Sequence, residues 1–81
     1  MQRYLNRNGN SNVAYYEIGS TYIDVCFFGT QKTYRYSYAS AGRYHVEQMK
    51  ILAQNGCGLN SYIMRNVRFS YEKWKVRERM A

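Results

Sequence analysis

Six of the chain's twelve positive residues fall in one stretch: Arg65, Arg68, Lys73, Lys75, Arg77 and Arg79. Glu72 and Glu78 reduce the net charge of residues 65–79 to +4, and Phe69, Tyr71 and Trp74 are interleaved with the cations. Lysine and arginine neutralise phosphates, and aromatic rings stack on bases. Side by side they are the usual means of holding a single strand regardless of its sequence, with each stacked base worth about 1–3 kcal/mol. The same pattern also fits an amphipathic element whose rings pack on the domain while its cations face water. The two readings are compatible, because buried rings would still leave a basic stripe.

A second group with chemistry is Tyr34, Tyr36 and Tyr38, which alternate with Thr33, Arg35 and Ser37. Side chains alternate across a strand, so the three tyrosines share one face. Such a ladder can stack bases, as aromatic residues do on RNA-binding sheets. It can equally be the side of the strand turned towards a covering helix. In that case Thr33, Arg35 and Ser37 face outward, and Arg35 is the phosphate contact.

Catalytic chemistry lacks its parts. The single histidine, His45, has Tyr44 and Val46 beside it, with no nucleophile near and no carboxylate placed by a motif to orient it. It suits the edge of an apolar helix stripe. The carboxylates Glu17, Asp24, Glu47, Glu72 and Glu78 are scattered singly; Asp24, in the middle of a hydrophobic strand, is expected to face solvent opposite Ile23 and Val25. Gly56 and Gly58 lack the Lys-Ser/Thr or the third glycine of a phosphate loop. Cys26 and Cys57 form no CxxC or Cys/His spacing, which excludes a recognisable metal site and a disulfide scaffold. The expectation is a non-enzyme with no cofactor and no metal.

Composition sets the frame for these groups. The 81 residues suffice for one domain with one modest core, worth roughly 3–5 kcal/mol at this size. The net charge is +7, ten residues are tyrosine and none is proline. Positive charge favours phosphate-bearing partners, and tyrosine supplies rigid amphipathic contact area. No apolar run is long enough for a signal peptide or a membrane span, so a soluble, cytoplasmic protein with reduced thiols is expected.

The elements that must position these residues follow from periodicity. Residues 1–12, polar and rich in asparagine, read as a flexible lead-in. Val13–Ile18, Tyr22–Phe28 and Thr33–Tyr38 have strand composition and are separated by Gly19-Ser20 and Gly29-Thr30-Gln31-Lys32. From Ala41 to Asn55 the period becomes helical: Val46, Met49 and Ala53 share a stripe, widened by His45 and Leu52. Ser40 is the expected N-cap, and Asn55-Gly56 the stop. A second helix, capped by Asn60 or Ser61, carries Ile63, Met64 and Val67 through about residue 67, and the tail is open between strand and helix. The expected fold is α+β: a three-stranded antiparallel β-meander covered by one helix, then a short second helix and a basic C-terminal segment. The domain spans residues 13–72, with 73–81 as a basic extension.

Residues 11–72 resemble the KTSC domain, a short module found alone in bacterial and phage proteins and at the C-terminus of some lysyl-tRNA synthetases. Tyr34-Arg35-Tyr36 is similar to that family's Tyr-x-Tyr motif, following a hydrophobic strand and a turn. Ala53 to Ile63 resembles its second landmark, an alanine near a helix end, a Gly-rich step and an Asn opening the final helix. The Val-Pro that usually follows the tyrosine motif is absent, and Ser40 stands ready to cap the helix instead. The resemblance implies RNA binding.

Taken together, the residues point to a non-catalytic binding module for RNA or another phosphate-bearing nucleic acid. The contacts would come from Arg35, Arg65, Arg68, Lys73, Trp74, Lys75, Arg77 and Arg79, with Tyr34, Tyr36 and Tyr38 as stacking or core residues. Two alternatives share this composition. One is a small phage- or mobile-element-type interaction protein that docks on a host protein, since Tyr and Arg also dominate protein–protein hot spots. The other sequesters a small phosphorylated nucleotide between protomers. Tyrosines on a flat edge and a small core also suit a homodimer.

Overall fold

A computed structural model of the chain describes residues 1–9, 11–72 and 74–76, the last three as backbone. Among them, five strands run antiparallel in sequence order in one sheet: β1 (Gln2–Arg3), β2 (Val13–Ile18), β3 (Tyr22–Phe27), β4 (Lys32–Ser37) and β5 (Trp74–Val76). The helices are α1 (Tyr38–Ala41), α2 (Arg43–Asn55) and α3 (Leu59–Tyr62), the last continuing as a π-helical turn, Ile63–Val67. The α+β class and the central meander match expectation. The sheet is wider than three strands because a short strand adds at each edge.

Register assigns the two faces. Tyr16 lies opposite Val25 and Tyr34 opposite Val25 on its other side, while Ile23 pairs with Tyr36. These residues form the face that meets Val46, Met49 and Ala53 of α2 and Leu59, Ile63 and Val67 beyond it, all buried. Full burial of such side chains contributes about 1.5–3 kcal/mol each. Val13 also joins this core, although it is an odd number of residues from Tyr16. The register shift between Val13 and Tyr15 makes that possible, since a bulge resets which face each residue takes. Asp24, Thr33 and Arg35 lie on the opposite face.

Three local readings are corrected. Ser40 does not cap the long helix: α2 is entered at Gly42 with no side-chain cap, and Ser37 caps the short α1 ahead of it, its hydroxyl accepting from the Ser40 amide while the Ser40 hydroxyl accepts from the Ser37 amide. Tyr38 therefore leaves the strand and opens a helix. The next helix starts at Gly58, and neither Asn60 nor Ser61 caps it. Gly56 does end α2, at φ 77, donating to the carbonyls of Ala53 and Leu52.

The lead-in is the third correction, because it is docked on the domain. Tyr4 is only 3% exposed, its amide donates to the Ala14 carbonyl (3.0 Å), and its hydroxyl accepts from the Leu59 amide (3.3 Å). Arg7 Nε donates to the Asn55 carbonyl at 2.6 Å. A single aromatic anchor outweighs the polar residues around it, because burying one large ring offsets the ordering of several residues.

Candidate nucleic-acid interface

The stretch 65–79 divides between two elements. Arg65 and Arg68 stand exposed at the end of the π-helical turn, and Phe69 beside them is 77% exposed. The Arg68 guanidinium lies 5.1 Å from the Phe69 ring centre, within cation–π range. The chain then turns back: Ser70 donates to the Val67 carbonyl, and Glu72 donates to the Arg35 carbonyl at 2.8 Å. That last bond starts the pairing of β5 with β4, which sets Trp74 opposite Tyr34 and Lys75 opposite Thr33. Lys73, Arg77 and Arg79 lie outside the described residues.

This return path closes one side of a cleft of about 430 Å³. Its strand side is Phe27, Phe28 and Tyr34, and its helix side is Met64, Arg68 and Phe69. Tyr36, Tyr71, Asn12 and Asn60 also line it. The rings brace one another: Tyr34 meets Phe27 edge-on at 5.7 Å and Tyr71 edge-on at 4.8 Å, and Tyr71 reaches Tyr36 at 6.1 Å. Edge-to-face contacts of this kind fix ring orientation. Pre-set aromatic walls with a guanidinium at the rim can accept a flat, phosphate-linked group.

The tyrosine ladder thus divides three ways. Tyr36, 2% exposed, is core; burial, then Tyr71 and Tyr34, pushes its phenol well above the ordinary tyrosine range and keeps it protonated. Tyr34 is half-buried and faces the cleft, so it serves both as packing and as wall. Tyr38 packs at the edge of the core and does not line the cleft, donating to Glu47 Oε2 at 2.6 Å.

Arg35, the expected outward phosphate contact, is already engaged. Nε and Nη2 bond the two Asp24 carboxylate oxygens at 2.8 and 3.0 Å, and the guanidinium stacks 3.8 Å from the centre of the Tyr22 ring. The Asp24 bonds raise the Arg35 pKa further. Asp24 does not face solvent either: it is 4% exposed, buried by the arginine that neutralises it. A buried carboxylate needs that partner, so Arg35 belongs to the fold.

His45 is held by Tyr62, with Nδ1 2.6 Å from the hydroxyl, and meets the Tyr44 and Tyr62 rings edge-on. Cys26 is buried and Cys57 half-buried, and both are free thiols. Among the described residues no three His, Cys, Asp or Glu side chains cluster as metal ligands, and no helix is long and apolar enough to cross a membrane.

Sequence reasoning did not place Phe27, Phe28, Asn12, Asn60 or Met64 at the site. One signal was present in Phe27-Phe28-Gly29: alternation can send only one of two successive aromatics inward, so the other must protrude beside the turn. Phe28 does so, at 57% exposure. Comparison of the chain with protein-family models, curated proteins and solved structures finds no match to any of the three.

Proposed function

We propose that this chain is a non-catalytic module that binds single-stranded nucleic acid, RNA in preference to DNA, along the cleft between β4 and the end of the π-helical turn. The observation that carries the reading is a cleft on a +7 chain where the exposed Phe28 and Phe69 and the half-buried Tyr34 meet the exposed guanidinium of Arg68, with Arg65 exposed on the same π-helical turn. β5 brings Trp74 and Lys75 to the adjoining sheet edge. Lys73, Arg77 and Arg79 add charge to the same part of the sequence. The resemblance of residues 11–72 to the KTSC domain is in keeping with RNA. Arg35 has no part in this version.

The test is fluorescence anisotropy with short labelled single-stranded RNA across a salt series. Affinity falls with a log–log slope of about −0.7 per neutralised phosphate, so Gln at both Arg65 and Arg68 flattens the slope by roughly 1.4. Phe69→Ala weakens binding by about 1–3 kcal/mol with little change in slope, because it removes a stacked base. No binding at low salt sinks the reading. In that event the exposure of Phe28, Phe69 and Met64 favours docking on a host protein.

A further inference from the structure

Each wall of the cleft is tied to the N-terminal segment. On the strand side, the Phe28 amide donates to the Asn12 carbonyl at 2.8 Å, and Asn12 itself lines the cleft. On the helix side, Met64 and Arg68 belong to the helical run that opens at Leu59, whose amide donates to the Tyr4 hydroxyl at 3.3 Å. Between these two ties the segment is braced internally. The Ser11 amide donates to Asn6 Oδ1 at 3.0 Å, and the Val13 amide donates to Ser11 Oγ at 3.1 Å. Arg7 holds the end of α2 through the Asn55 and Gly56 carbonyls. A second cleft, of about 110 Å³, is bounded by Tyr4, Asn6, Ser11 and Asn60, which puts the segment directly behind one end of the helix wall. Leu59, Ile63 and Val67 are buried, while Met64 and Arg68, one position beyond the last two, line the larger cleft. A shift of this run on the core therefore moves the wall as a whole.

We propose that residues 4–12 set the width of the cleft, with Tyr4 as the positioning residue that fixes the helix wall against the strand wall held by Asn12. A site whose walls are in place before the ligand arrives binds more tightly, because less ordering is left to the binding step. A bond at the first turn reaches Arg68 and Phe69 because a rigid helical run transmits a displacement along its length. The effect on affinity rests on the nucleic-acid reading above, whereas the positioning itself can be observed without any ligand.

Tyr4→Phe tests this, because it keeps the buried ring and removes only the acceptor for the Leu59 amide. In the free protein, the NMR amide signals of Met64, Arg68 and Phe69 are expected to move, while those of Asp24 and Arg35 on the opposite face stay in place. Labelled single-stranded RNA, followed by anisotropy, is expected to bind about fivefold more weakly, the lower end of coupling between separated sites. The salt slope is unchanged, since no charge is lost. Ser40→Ala serves as the control: it removes one bond of the α1 capping box and lies off the cleft, so it lowers the melting temperature without altering either readout. Unmoved signals at the helix wall overturn the proposal, and so does full RNA affinity in a variant whose signals have moved. If the unsubstituted chain binds no RNA, the nucleic-acid reading falls by itself, and the free-protein spectrum still decides whether Tyr4 positions the wall.

Discussion

Arg35 and Arg68 carry the same guanidinium in opposite settings. Arg35 lies across the strand from Asp24, which has only 6% of its side chain exposed, whereas Arg68 stands on an exposed turn over Phe69. Removing one partner of a fully buried pair costs 3–5 kcal/mol, and the Arg35 side chain is still 32% exposed, so Arg35→Met is expected to lose about 2 kcal/mol of stability. Urea unfolding measures this; a loss below about 0.5 kcal/mol would show that Asp24 does not depend on the pair. Tyr36 gives a pH prediction. Its folded pKa is raised by burial above the ordinary tyrosine value of 10.0, so the folded state holds this proton more tightly than the unfolded chain. The stabilisation is complete below about pH 10 and is lost as pH rises through the folded value. Tyr36→Phe should therefore flatten the fall in melting temperature between about pH 10 and 11. An identical alkaline profile in the variant would contradict the placement of this phenol.

At the level of elements, the N-terminal segment shows what a sequence pattern can hide. Tyr4 is one aromatic among polar residues, and nothing local marks it as buried; only the register of β1 on β2 and the arrival of Leu59 make its site. Tyr4→Ala should lower stability by about 3 kcal/mol, as loss of a packed aromatic does. A drop under 1 kcal/mol in urea would mean the segment is loosely attached after all. Gly56 is coupled to the same docking: a Cβ there would sit 2.6 Å from the Leu5 Cβ, at φ 77, so Gly56→Ala should destabilise both the α2 stop and the N-terminal strand. The three central strands and the stripe Val46, Met49 and Ala53 were legible because they repeat a period. The cap at Ser37 and the folding of residue 4 were not, because each depends on one bond or one ring. The basic-aromatic stretch was legible as chemistry, yet its division into an exposed turn and an edge strand follows from the Glu72–Arg35 backbone bond, which leaves no trace in composition.

For the whole molecule, the sheet separates two environments. One face is closed by helices except where the cleft opens beside Phe28 and Phe69, and the other carries the Asp24–Arg35 pair. A strand of RNA drawn in by the +7 charge should therefore settle at one end of the helical face and leave the opposite face untouched. Backbone amide shifts in isotope-labelled protein, followed by NMR as unlabelled single-stranded RNA is added at low salt, test this most directly. The largest shifts are expected at Phe28, Tyr34, Arg68, Phe69 and Tyr71, with Asp24 and Arg35 nearly unmoved. Shifts centred on Asp24 and Arg35, or none at all, would contradict it.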